Sequence, residues 1–134
     1  MSEENVEVVR RTYAEWERGN MKAGVEVFDP EIVYESYMPD STERVVVNTP
    51  EEVKGFMREW LAQWRDLRLF VDECREIGSD KVFVGGHQTA TGRLSGIVVE
   101  DTVYSVWTFR GGKIVHLLFE RERQRALEAA GLRE

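Results

Sequence analysis

Residues 81–121 read KVFVGGHQTATGRLSGIVVEDTVYSVWTFRGGKIVHLLFER, and this stretch decides the fold. Three runs rich in β-branched and aromatic residues, Lys81–Thr91, Ile97–Phe109 and Lys113–Arg121, read as strands. Gly92–Gly96 and Gly111-Gly112 lie between them and carry turn chemistry. These connections are too short for a crossover, so adjacent strands pair as antiparallel hairpins. Upstream, Leu67–Ile77 is a further run, set off by Gly78-Ser79-Asp80. Gly85-Gly86 falls inside a strand, where glycine weakens pairing, and marks a bend in a curved sheet.

Working outward from the strands, Thr49-Pro50-Glu51-Glu52 opens a helix predicted over Thr49–Trp64. Thr49 fits the N-cap, Pro50 the first helical position, and Glu52 completes a capping box. Val53, Phe56, Trp60 and Trp64 recur on one face of it. Before it come a turn at Pro39-Asp40, a short strand at Val45–Val47 and a strand at Ile32–Tyr37. Val6, Val9, Tyr13 and Trp16 mark a first helix ended by Gly19, and Met21–Phe28 reads as a short second one, broken by Asp29-Pro30. At the other end a helix over Glu122–Ala130 stops at Gly131, with Leu132 placed to pack back. Helices followed by strands give an α+β domain, and a length of 134 residues supports one domain over 1–134.

Composition excludes several functions. Side chains of Lys and Arg number 18 against 25 of Asp and Glu, and this net charge of −7 argues against a nucleic-acid partner, which wants a basic face. Cys74 is the one cysteine, so there is no disulfide framework and no zinc-type spacing; no metal and no cofactor is expected. No apolar run is long enough to span a bilayer, and no membrane partner is expected. Met1–Asn5 is acidic, unlike the basic, apolar start of a secretory leader, and a cytoplasmic location is expected.

The order of these elements resembles the SnoaL-like branch of the nuclear transport factor 2 and ketosteroid isomerase superfamily. The resemblance is carried by Val9–Tyr13 with Gly19-Asn20, Phe28–Ile32, the helix Thr49–Trp64, Val106–Phe109, Gly112–Val115 and Ala126–Leu132. It implies a cone: a strongly curved antiparallel sheet with N-terminal helices on its concave face, a short C-terminal helix, and a pocket between helices and sheet. It also implies a homodimer through the convex face, where an apolar patch of Val84, Tyr104, Val106, Thr108 and Leu118 is expected.

Strand alternation combined with this resemblance assigns faces. Tyr34 and Ser36, Ser105 and Trp107, and Leu117 and Phe119 are expected to point inward, as are Phe83, Gly85, His87 and Thr89. His87 is then the pocket residue with a near-neutral pKa and the candidate acid/base; the plain alternative is a core histidine satisfied by Tyr34, Thr89 or water. Tyr13, Trp16, Tyr34, Ser36, Trp60, Trp64, Ser105, Trp107 and Phe119 are the expected substrate contacts. His116 is expected on the convex face, and Asp101 has inward parity but sits at the rim. The catalytic aspartates of ketosteroid isomerases fall on Ser36 and Ser105, and an aspartate of limonene-epoxide-hydrolase-like members falls on Phe119. Two functions follow. One is an isomerase, cyclase or hydrolase acting on a small hydrophobic, polyketide- or steroid-like molecule through His87. The other is a non-catalytic ligand-binding or dimerisation module.

Overall fold

The computed structural model describes residues 2–37 and 44–131. The turn expected at Pro39-Asp40 and the packing of Leu132 lie outside these residues. Helix α1 spans Ser2–Glu17 and carries Glu3 and Glu4 in its first turn, where the helix dipole favours anions. Its buried face is Val9, Tyr13 and Trp16. Gly19, at φ 93°, turns the chain out of it in the left-handed conformation that a side chain disfavours.

The second helix shrinks to a single 3-10 turn, Val25–Val27. Gly24 precedes it at φ 99°, which a continuing helix cannot use. Strand β1 (Phe28–Tyr37) therefore starts earlier than the sequence suggests and runs through Pro30. The ladder of this strand is irregular between Phe28 and Val33, so the missing N–H of Pro30 falls where pairing is already interrupted.

Strand β2 (Arg44–Val47) pairs antiparallel with β1 and leads into α2 (Pro50–Leu61). The Thr49 hydroxyl accepts from the Glu52 N–H at 3.1 Å, and the Glu52 carboxylate accepts from the Asn48 N–H at 3.1 Å. These bonds satisfy donors that the first turn leaves open. The helix ends at Leu61, and Trp64 begins strand β3 (Trp64–Ile77) instead of closing the helix. Strands β4 (Lys81–Gly92), β5 (Val98–Arg110) and β6 (Lys113–Glu120) follow as antiparallel hairpins, and helix α3 (Arg123–Ala129) closes the described chain.

The sheet has the order β2-β1-β6-β5-β4-β3. Strand β1 pairs with β6 in parallel, the one parallel pair among the described residues. Three helices on this mostly antiparallel, curled sheet make the α+β fold expected from the sequence. A bulge in β3 between Val71 and Glu73 lies opposite Gly86 and Gly85. A Cβ on Gly86 would stand 2.1 Å from the Phe70 carbonyl oxygen, so this backbone approach admits only glycine.

Two cores result. The inner face packs Val82, Val84, Trp107 and Leu117 against Val9, Tyr13 and Trp16 of α1 and Val53 of α2. The outer face packs Phe83, Val106 and Leu118 under Ala126, Leu127 and Ala130 of the C-terminal segment. Arg123 fastens α3 there: its Nη2 lies 3.0 Å from Glu73, and its guanidinium lies 5.6 Å from the Phe83 ring centre.

This arrangement corrects the apolar patch on which a dimer was expected. Val84 lies in the inner core, and Val106 and Leu118 are covered by the protein's own last helix. That helix therefore covers part of the face on which the patch was expected.

Candidate functional site

Strand β4 decides which side chains reach the interior. Its pairing with β5 runs without a break from Lys81↔Thr108 to Thr91↔Val98. With Trp107 and Ser105 inward, the partners facing them are Val82 and Val84. Gln88 continues this inner face, and His87 stands on the outer one. The expectation for Phe83, Gly85, His87 and Thr89 is therefore reversed. A single-residue change of parity moves every side chain of a strand to the other face.

On the outer face the His87 ring stacks on Phe70, with centroids 4.8 Å apart and planes 17° apart. Its Nδ1 lies 2.9 Å from Asp72 Oδ2. His116 is also on the outer face, with Nε2 2.5 Å from Glu35 Oε2. Neither imidazole lines the interior cavity.

That cavity encloses about 70 Å³ between α2 and the sheet. Helix α2 contributes Phe56, Met57, Trp60 and Leu61, and α1 contributes Trp16. From the sheet come Tyr34, Ser36 and Tyr37 of β1, Leu67 and Leu69 of β3, Gln88 of β4, Val103 of β5, and Leu117 and Phe119 of β6. Met21 and Phe28 complete the wall. Among the described lining residues none is a carboxylate, an imidazole, an amine or a guanidinium. The aromatic wall is continuous: Phe56 lies 6.2 Å from Trp60 and 5.7 Å from Tyr34, and Tyr34 lies 5.8 Å from Phe119.

The polar groups are few. The Ser36 hydroxyl donates to the Tyr37 carbonyl at 3.2 Å. The Tyr34 hydroxyl has no hydrogen-bond partner among the described residues, and burial pushes its pKa up. Tyr37 stands nearer solvent. Burial raises its pKa too, with Asp101 adding to the rise and Arg121 and Gln88 opposing it. The Arg121 guanidinium lies 4.6 Å above the Tyr37 ring centre. Asp101 is exposed and pairs across the strands with Gln88, which places it at the rim.

The expected contacts thus divide. Trp16, Tyr34, Ser36, Trp60 and Phe119 line the cavity. Tyr13, Ser105 and Trp107 sit behind Trp16, whose ring lies 4.8 Å from Tyr13 and 5.7 Å from Trp107. There the Tyr13 and Ser105 hydroxyls share a 2.8 Å hydrogen bond, and Trp107 Nε1–H donates to Ser105 Oγ at 2.9 Å. Trp64 packs on the inner core outside the cavity wall, and its Nε1 is buried with no partner among the described residues. Gln88, Tyr37, Met57 and Leu61 are lining residues that the sequence reading did not single out. The length of the β4–β5 loop holds the signal for Gln88. Gly92 N–H donates to the Ile97 carbonyl, leaving residues 93–96 as an even-numbered loop, and that count fixes the parity of β4 against β5.

The sequence profile of the SnoaL-like domain matches residues 9–117. The chain belongs to the SnoaL-like domain family. Solved structures agree with this SnoaL-like domain in fold. An NTF2-like protein from Burkholderia pseudomallei superposes with a TM-score of 0.76 at 20% identity, covering 96% of this chain and 98% of that one. A candidate SnoaL-like polyketide cyclase from Jannaschia sp. gives 0.75 at 17% identity, covering 99% and 95%. TerC, co-crystallised with polyporic acid, gives 0.74 at 19% identity, covering 96% and 99%. Among curated proteins none matches the chain.

Proposed function

We propose that this SnoaL-like domain binds a small, flat, largely apolar molecule, of polyketide or hydroxyquinone type, in the cavity between α2 and the sheet. The observation that carries the reading is the aromatic wall around Tyr34, whose hydroxyl has no hydrogen-bond partner among the described residues. A hydroxyl that the protein leaves unpaired can donate to or accept from a ligand oxygen. Aromatic rings favour a planar ligand, and the sparse polar groups would orient it. The fold neighbours include a candidate polyketide cyclase and a protein co-crystallised with polyporic acid, which supports this ligand class.

Binding is favoured over proton abstraction. None of the described lining side chains is a general base of useful pKa. His87, the acid/base of the sequence reading, faces the other way with Asp72. The carboxylate that could serve a reaction is Asp101 at the rim, next to Gln88.

Titration with polyporic acid and a series of polycyclic hydroxyaromatics tests the reading through tryptophan fluorescence, since Trp16 and Trp60 line the cavity. We expect saturable quenching in the wild type, weakened in Tyr34→Phe. Absence of saturable quenching across the whole series would overturn it.

A further inference from the structure

The inner face of the sheet turns polar at one row. Phe119 of β6 and Val103 of β5 are buried in the cavity wall. Two residues beyond them in the same alternation stand Arg121 and Asp101, both exposed. Gln88 of β4 pairs across from Asp101, and Tyr37 ends β1; both are half-buried and line the cavity. Four polar side chains from neighbouring strands thus border the cavity mouth. They are held to one another. The Arg121 guanidinium lies 4.6 Å above the Tyr37 ring centre, and the Tyr37 hydroxyl has Arg121 and Gln88 as hydrogen-bonding neighbours. The enclosed space is about 70 Å³, well below the roughly 150 Å³ of a cavity that takes up a single benzene. Most of a ligand of several rings therefore lies at this mouth, against the polar row.

We propose, resting on the cavity reading above, that this row selects the ligand's outer edge and that the edge is a carbonyl with a hydroxyl on the adjacent carbon. The Gln88 amide carries two donors and an acceptor, more than its contact with one phenol uses, and its N–H meets the ligand carbonyl. Asp101, an acceptor when ionised, takes the ligand hydroxyl. Side chains directly opposite in an antiparallel pair start about 5 Å apart, a span that hydrogen bonds converging on two neighbouring oxygens can close. Net charge does not make the selection. The row holds one cation, Arg121, and one anion, Asp101. Of the nearby carboxylates, Glu120 is engaged by Arg44, Glu122 by Arg125, and Glu100 falls on the outer alternation. What discriminates is the match of donor to carbonyl and acceptor to hydroxyl.

Tryptophan-quenching titrations of the full chain with flavonol, which carries this edge, and with flavone, which lacks the hydroxyl, test it. We expect the wild type to bind flavonol about tenfold more tightly, the worth of one hydrogen-bonding group. Asp101→Ala should bring the two affinities together by weakening flavonol alone. Gln88→Leu should weaken both about tenfold, because both probes keep the carbonyl. Asp101 is exposed, so its substitution leaves the fold intact, and unchanged flavone binding verifies this. Equal wild-type affinities would overturn the proposal, as would a preference that survives Asp101→Ala or a Gln88→Leu variant that binds both probes like the wild type. Failure of flavonol to bind where the hydroxyaromatic series binds would overturn it alone. Failure of every probe would remove the cavity reading and this proposal together.

Discussion

The hydroxyls of Tyr13 and Ser105 meet at 2.8 Å in a site closed to solvent, where Ser105 also accepts from Trp107 Nε1–H. The serine is the hub of this group, so the two ends of the bond differ in what their removal leaves behind. Ser105→Ala leaves both the Trp107 N–H and the Tyr13 hydroxyl without their partner and should cost about 2–3 kcal/mol, whereas Tyr13→Phe breaks one bond of the group and should cost about 1 kcal/mol. Urea unfolding of the two variants checks this order.

The same burial makes stability sensitive to alkali. Desolvation raises the folded-state pKa of Tyr13, Tyr34 and Tyr37 above the ordinary tyrosine value of 10.0. Above that value the unfolded chain loses phenolic protons that the folded chain retains, so the unfolded state binds fewer protons and stability falls as pH rises. The contribution is complete below about pH 10 and is lost progressively above it. Thermal unfolding across this range should show a falling midpoint, with a shallower decline in Tyr34→Phe. A midpoint flat into strong alkali would contradict the burial of these phenols.

Gly86 and Gly85 are neighbours with different tolerances. A Cβ at residue 86 meets the Phe70 carbonyl oxygen at 2.1 Å, while one at residue 85 meets the Tyr104 ring at 3.3 Å. Backbone cannot yield as a ring can, so Gly86→Ala should cost about 3 kcal/mol or more and Gly85→Ala below about 1 kcal/mol. Equal losses would place the bulge of β3 elsewhere.

The capping box offers a local counterpart. Thr49→Ala leaves the Glu52 N–H without its side-chain acceptor and should cost about 1 kcal/mol. Trp107→Ala, at a fully buried position, should cost about 3–5 kcal/mol. Chemical denaturation of both variants measures the contrast.

The face assignment of β4 has a binding readout. Gln88→Leu should shift affinity for a cavity ligand by about tenfold, as expected for one hydrogen-bonding group. His87→Gln, on the outer face, should leave that affinity unchanged. Fluorescence titration with one aromatic probe compares them, and a larger effect at His87 would return that residue to the cavity.

The sequence by itself determined what short-range chemistry controls. Thr49-Pro50 with Glu52 starts α2, Gly19 ends α1, and the glycine-bearing turns at 78–80, 92–96 and 111–112 divide the strands within one or two residues of their observed limits. Alternation also gave the inward sets Tyr34 with Ser36 and Leu117 with Phe119, because the resemblance to a known family anchored one member of each strand. Tertiary structure decided the rest, and in each instance the deciding contact lies far along the chain. His87 and Gln88 are adjacent in sequence, and which of them faces the cavity depends on register against β5 across the hairpin. The fate of Val106 and Leu118 depends on α3, which packs back over the outer face and buries them. Tyr13 and Ser105 are separated by 92 positions, and only the folded sheet brings them together and seals them behind Trp16. Periodicity reports that a strand has two faces; the partner strand and the covering helix choose which of them becomes the interior.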